Sequence, residues 1–262
     1  MIRKLLPLAA AVALSFGAAH AQTKLVVGAT PVPHAELLQH VAPALKAQGV
    51  ELQVKEFNDY VLPNTAVQEK QLDANFFQHT PYLESFNKDR KTELVAVPNG
   101  GIHVEPFGAY SKKIKAIADL KEGALVAIPN DPSNSGRALL LLDKHGVIKL
   151  KDRSNITSTA ADIAENPKKL KFRELEAAML PRALDDVDLA LINTNYALEA
   201  KLVPTQDALL IEGEDSPYVN IVVAHKDRAN DEAIKKLTDA LRTEDVRAFI
   251  QTKYKGAIVP AF

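Results

Sequence analysis

Residues 125–142 read LVAIPNDPSNSGRALLLL. The stretch opens on a short apolar run, Leu125 to Ile128, whose length suits a buried strand. A cluster of turn formers and helix caps follows, from Pro129 to Gly136. A leucine-rich run from Ala138 to Leu142 reads as a helix, with Arg137 expected in its first turn. A strand feeding a polar loop and then a helix start is a natural anion seat. The first helical N–H groups lack intrahelical partners, and that end of the dipole is positive. A cation there is unfavourable unless something negative stands before it. Arg137 therefore reads in one of two ways. It is a clamp for a carboxylate or phosphate through its planar fork, or a surface arginine whose stem lies on the fold.

The same alternation extends in both directions. Upstream, Lys24 to Ala29 is expected as a strand and Pro33 to Ala47 as a helix ended by Gly49. Val50 to Phe57 is expected as a second strand, Pro63 to Gln71 as a helix and Asp73 to Phe77 as a third strand. Thr80-Pro81 is a helix start, with threonine as cap and proline at the first helical position. Glu93 to Val97 and His103 to Tyr110 read as two further strands. Downstream, strands are expected over Leu170 to Glu174, Val187 to Ile192 and Asp207 to Glu212, with an extended run over Ser216 to Ala224. Helices are expected over Glu176 to Asp185 and Tyr196 to Lys201, and two more over Asn230 to Lys253. Strands alternating with helices imply parallel βαβ units and an α/β fold. Two such halves imply two lobes with a cleft between them.

The chain has 262 residues, enough for one large domain or two lobes with cores of their own. Its formal net charge of -1 gives no nucleic-acid footprint. It contains no cysteine, which excludes disulfides, zinc–thiolate sites and cysteine nucleophiles, and a lipid-modified N-terminal cysteine with them. Arg3 and Lys4 precede an apolar stretch, and Ala19-His20-Ala21 places small residues where a signal peptidase reads. Residues 1–21 are expected to be a cleavable secretory signal, and the mature product a soluble periplasmic protein without a lipid anchor.

In open α/β sheets, ligands sit beyond the carboxyl ends of strands. The polar residues collected there are Asn58 and Tyr60, Phe77 to His79, Asn130 to Arg137, and Asn193 to Asn195. Asn220 lies inside an apolar run, where an amide is costly unless hydrogen-bonded. In DANFFQHTPY (Asp73 to Tyr82), strand alternation puts Phe77 and His79 on one face and Phe76 and Gln78 on the other. Phe76 suits a plain core aromatic. His79 is either a satisfied structural histidine or a pocket group. Tyr60, Phe77 and Tyr82 would form an aromatic wall, with Arg137, Asn193 and Asn220 opposite. A guanidinium suits a carboxylate, and carboxamides both accept from an ammonium and donate to a carboxylate. That set describes a pocket for a free amino acid with an apolar side chain. A thioether would fit, at about 0.3–1.5 kcal/mol for each sulfur–aromatic contact.

The segments FNDYVLPN (Phe57 to Asn64), DANFFQHTPYL (Asp73 to Leu83) and YSKKIK (Tyr110 to Lys115) resemble the NlpA family, as does IPNDPSNSGRALLLL (Ile128 to Leu142). So do ENPKKLKFRELEAAMLPRALDD (Glu165 to Asp186), LINTNYA (Leu191 to Ala197) and SPYVNIVV (Ser216 to Val223). Members are substrate-binding proteins of bacterial methionine ABC importers. The resemblance implies a type II periplasmic-binding-protein fold, with lobe 1 formed by residues 22–109 and 219–262 and lobe 2 by residues 110–218. It implies that Arg137 holds the ligand carboxylate and that Asn193 and Asn220 complete the contacts to the amino-acid backbone. Tyr60, Phe77, His79 and Tyr82 would line the side-chain pocket, with Asn134 in the clamp loop. Implied partners are methionine and the permease of an importer with its ATPase; the protein would be a monomer without a cofactor. Other ligands for the same fold are another amino acid, a short peptide or an organic anion. A secreted enzyme is the remaining reading. Against it, the chain has no nucleophile elbow, no HExxH and no phosphate-cradling glycine motif.

Overall fold

Apolar residues of this chain gather on two separate sheets. A computed structural model describes residues 22–213 and 216–262. The expected signal segment, residues 1–21, lies outside the described residues. The strands are β1 (Thr23–Ala29), β2 (Val50–Glu56), β3 (Ala74–His79), β4 (Leu94–Val104), β5 (Gly108–Tyr110) and β6 (Leu125–Pro129). They continue with β7 (Lys149–Leu150), β8 (Ile163–Glu165), β9 (Lys171–Leu175), β10 (Leu189–Ile192), β11 (Leu210–Ile211), β12 (Val219–His225) and β13 (Val259–Pro260). One sheet has the order β13-β4-β12-β3-β1-β2, the other β11-β5-β10-β6-β9, and β7 pairs only with β8. In the first sheet β1 runs parallel to β2 and β3, and β12 is antiparallel to both β3 and β4. In the second, β6 is parallel to β9 and β10, and β5 is antiparallel to β10.

Helix α1 (Glu36–Ala47) buries Leu37, Leu38, Val41 and Leu45 on one stripe and packs them against the first sheet. Helix α2 (Leu62–Gln68) and helix α3 (Thr80–Arg90) cover its other face, where Val67, Leu83 and Phe86 meet Phe77 and Ile221. Helix α4 (Pro132–Lys144) covers the second sheet with Ala138, Leu139, Leu141 and Leu142. Its start follows from sequence. Asp131 accepts the Asn134 N–H at 2.9 Å, and Pro132 takes the first helical position. Arg137 thus falls one turn later than expected.

The chain leaves the first sheet after Val104 and enters the second at Gly108. It returns between Ile211 and Val219, so that β12 is inserted between β3 and β4. The expected break between Glu93–Val97 and His103–Tyr110 is absent; β4 runs unbroken, and the interruption comes at Glu105 to Phe107. The strand expected over Asp207 to Glu212 is reduced to two residues, because Pro204 starts a short helix, Pro204–Asp207. The helix expected over Glu176 to Asp185 is a 3-10 turn, Ala177–Met179, followed by Leu180–Ala183, with Pro181 near its start rather than its end.

β3 carries a local irregularity. Its register against β12 shifts between Ile221, opposite Gln78, and Val222, opposite Phe76. Phe77 is the extra residue, and such a bulge re-aims its neighbours. The expected alternation, with Gln78 facing away from Phe77 and His79, is thereby broken.

Gly136 lies where α4 crosses the loop at Ile156. A Cβ there would sit 2.2 Å from the Ile156 carbonyl oxygen and 2.9 Å from Thr157 Cα, both backbone atoms. Gly136→Ala is expected to lower unfolding stability by about 1–3 kcal/mol through overpacking. Urea denaturation measures it, and an unshifted midpoint would show that the helix can give way.

Candidate functional site

Between the two sheets lies a small, nearly closed cavity of about 20 Å³. Its lining includes all of the residues expected from sequence: Tyr60, Phe77, His79, Tyr82, Asn134, Arg137, Asn193 and Asn220. It also includes Gln78, Thr194 and Asn195, collected at the strand ends but given no role, and Glu105, which was not collected. First-sheet elements supply the aromatic residues. Arg137 and Asn134 come from α4, and Asn193 to Asn195 follow the end of β10.

Arg137 is 2% exposed and is engaged by the protein itself. Its Nε donates to Glu212 Oε1 at 2.8 Å and its Nη2 to Glu212 Oε2 at 2.5 Å. Nη2 also donates to the Glu105 main-chain oxygen at 2.8 Å. The guanidinium lies over the Tyr218 ring at 4.2 Å and the Phe107 ring at 5.1 Å. The two-pronged fork expected to take a ligand carboxylate is therefore spent on Glu212. Nη1 alone has no hydrogen-bond partner among the described residues. The anion seat at the start of α4 is filled in the same way, by the carboxylate of Asp131, which accepts from Ser133 Oγ, Asn134 N and Asn134 Nδ2.

Asn134 is a junction. Its Oδ1 accepts from Asn193 Nδ2 and pairs with His79 Nε2, each at 3.0 Å. The Tyr82 N–H donates to His79 Nδ1 at 3.2 Å, so the proton of this ring is on Nε2. Burial and the nearby Arg137 charge lower His79 to about 3, and the ring is neutral. Asn193 Oδ1 and Asn195 Nδ2 are buried and have no partner among the described residues. Asn195 Oδ1 accepts from Tyr60 Oη at 2.6 Å.

The aromatic wall is continuous. The Tyr60 ring lies 5.6 Å from both Phe77 and Tyr82 and 5.0 Å from Tyr196. The hydroxyls are tied away, Tyr82 Oη to the Tyr60 carbonyl at 2.9 Å and Tyr196 Oη to the Asn58 carbonyl at 3.3 Å. The polar tips are occupied, and the rings are what remains to face a ligand.

Glu105 is buried, and burial raises its carboxyl above the usual range. His103 Nε2 lies 2.8 Å from its Oε1 and His34 Nε2 3.3 Å, while Oε2 accepts the Asn195 N–H at 3.0 Å. These three side chains could each offer one atom to a metal ion. Their present distances are those of a hydrogen-bonded network. Sequence did offer a signal for Glu105: it is a lone charge in the apolar run GIHVEPFGAY. Glu212 offered none, since its role depends on a partner 75 residues away.

Two α/β sheets that meet around such a cavity have the architecture of the type II periplasmic-binding proteins, as expected. The chain belongs to the NlpA lipoprotein family, whose model matches residues 25–262. It is 46% identical over 242 residues to the D-methionine-binding lipoprotein MetQ of Salmonella typhi, covering 92% of this chain and 88% of that one. A nutrient binding protein from Burkholderia cenocepacia, solved bound to methionine, is 48% identical, with a TM-score of 0.87 over 91% of this chain and 100% of that one. The solved methionine binding protein MetQ is 42% identical, also at 0.87, over 91% of this chain and 98% of that one.

One expectation is corrected by these relatives. The family and the Salmonella protein are named lipoproteins, and lipoproteins are tethered through a lipid-bearing N-terminal cysteine. That conflicts with a periplasmic protein without a lipid anchor, an expectation drawn from the lack of cysteine in this sequence. The expectation is withdrawn; a periplasmic setting itself fits the relatives. Among the described residues no helix is long and apolar enough to cross a membrane.

The buried imidazoles set an acid limit. Burial lowers His34 to about 4 and His103 to about 3, as it does His79. Unfolded histidine titrates near 6.5. Between about pH 6.5 and 4 the unfolded chain takes up protons that the folded chain refuses, so stability falls with pH. Glu105, with its raised carboxyl, opposes this by at most one proton. A net uptake of two to three protons gives a loss of about 3–4 kcal/mol per pH unit near pH 5.5. Urea unfolding at pH 7, 6 and 5 tests this, and a flat profile would contradict neutral burial of these rings.

Proposed function

We propose that this protein captures methionine by closure of two lobes and delivers it to the permease and ATPase of an ABC importer. The lobes would be residues 22–109 with 219–262, and residues 110–218, with the first crossing falling just before β5, whose Gly108 already pairs in the second sheet. The observation that carries the reading is the set of unspent polar atoms around a single aromatic-walled cavity. Asn193 Oδ1 is a buried acceptor without a partner, and Asn195 Nδ2 a buried donor without one. Arg137 Nη1 and Asn220 Nδ2 add donors. A zwitterion supplies what they lack: an ammonium for Asn193 Oδ1 and the nearby Glu105 carboxylate, and a carboxylate for the donors. The thioether tail would lie among Tyr60, Phe77 and Tyr82. Asn134 and His79 would act by fixing Asn193 and the pocket wall. The methionine-bound Burkholderia structure and the MetQ relatives support this assignment, and these relatives are binding proteins rather than enzymes.

Calorimetry on refolded, ligand-stripped protein tests the reading with both methionine enantiomers, methionyl dipeptides and the other amino acids. Binding of a methionine compound tighter than 100 µM, about 5.5 kcal/mol, is expected. No binding in that range, or tighter binding of an unrelated amino acid, would rule the assignment out. Asn193→Ala should weaken methionine about 10- to 100-fold, the worth of a hydrogen bond to a charged group. Its unfolding midpoint serves as the control for folding.

A further inference from the structure

Behind Glu105 and Asn220, which line the cavity, lies a buried chain of polar groups that do not line it themselves. His34 sits in the turn before α1 and is wholly buried. Its Nδ1 lies 2.7 Å from Thr30 Oγ1. Its Nε2 lies 3.0 Å from Asn220 Oδ1 and 3.3 Å from Glu105 Oε1. His103 Nε2 approaches the same Glu105 oxygen at 2.8 Å, and His103 Nδ1 is buried without a partner among the described residues.

A neutral imidazole carries one N–H, and its position on His34 has consequences. With Glu105 ionised, a proton on Nδ1 would leave the bare Nε2 facing a carboxylate oxygen, lone pair against lone pair. A proton on Nε2 meets two acceptors, and the Thr30 hydroxyl donates to Nδ1 in turn. Glu105 thus selects the Nε2–H form. With Nε2 donating, Asn220 must turn its oxygen to His34. Its NH2 group is then left for the cavity that Asn220 lines. An amide NH2 only donates, so it matches a carboxylate and mismatches an ammonium.

We propose that His34, set by Thr30 and Glu105, is a positioning residue that locks the Asn220 amide donor-first toward the cavity and so selects ligands with a free carboxylate. The selection rests on the reading of the cavity as an amino-acid site. Amino amides, esters and alcohols sharing the same side chain offer Asn220 a neutral partner, and hydrogen bonds to neutral groups are about half as strong as those to charged ones.

Two measurements test it. Nitrogen-15 NMR of histidine-labelled wild-type protein should show His34 protonated at Nε2 and bare at Nδ1, with and without methionine; the Nδ1–H form would overturn the proposal. Calorimetry then compares methionine with methioninamide on wild type, His34→Leu and His34→Gln. Wild type should favour methionine at least about 10-fold. His34→Leu frees the Asn220 amide to turn over, so methionine should weaken about 10- to 100-fold and methioninamide less than about 3-fold. His34→Gln puts an amide N–H near the place of Nε2–H and should restore most of the preference. Parallel losses of both ligands, or no rescue by glutamine, would mark His34 as merely structural and sink the proposal. Should His34→Leu not fold, the wild-type tautomer and His34→Gln decide. Wild-type protein that binds neither ligand overturns the methionine reading instead, and the tautomer still decides the His34 lock.

Discussion

The Arg137 guanidinium, paired with Glu212, holds both segments by which the chain crosses between the two sheets. Glu105 and Phe107 lie on the segment by which the chain leaves the first sheet, Glu212 and Tyr218 on the segment by which it returns. One guanidinium bonds Glu105 and Glu212 and lies against the rings of Phe107 and Tyr218. Both crossings are thereby moored to α4. A buried ion pair adds little net stability against an apolar substitute, whereas removing one partner typically costs about 3–5 kcal/mol. The value of this pair is therefore in specification. It holds two crossings of otherwise independent length in one register, and so sets how the sheets face each other across the cavity.

The same pair constrains the chemistry of the cavity. With Nε and Nη2 committed to Glu212, Arg137 has one terminal nitrogen left to offer. A carboxylate must find its other partners elsewhere, which accounts for the number of asparagines around the site. An amide serves as donor or acceptor according to which way it is turned. Each is turned by a neighbour: Asn134 by Asp131, Asn193 by Asn134, Asn195 by Tyr60 and Asn220 by His34. The donors and acceptors are thus aligned before a ligand arrives, which reduces the ordering cost of binding.

Local grammar was legible in the sequence wherever the cause was local. Asp131-Pro132 starts α4, and Thr80-Pro81 marks the start of α3, although the cap there proves to be His79, whose Nδ1 accepts the Tyr82 N–H. The apolar stripe Leu37, Leu38, Val41 and Leu45 faces the core for reasons written within one helix. The gathering of Tyr60, Phe77, Tyr82, Arg137, Asn193 and Asn220 around one cavity was also anticipated, because strand ends in α/β sheets converge.

What sequence hid was the partner of each group. Arg137 looked short of an anion, and the pattern suggested a ligand; the anion is Glu212, brought close by a return crossing that no local spacing encodes. Gln78 was assigned to the wrong face because the bulge at Phe77 is set by the register of β12, a strand 140 residues further on that the fold inserts between β3 and β4. Glu105 and His103 were read as the start of a strand, yet β4 ends at Val104. There an acid enters the interior only because two imidazole nitrogens and one backbone N–H stand ready for it. A charge at a sheet-to-sheet crossing is costly to bury anywhere else in such a fold. Its presence in an apolar run, directly before Pro106, is thus a local sign that the chain changes sheets here.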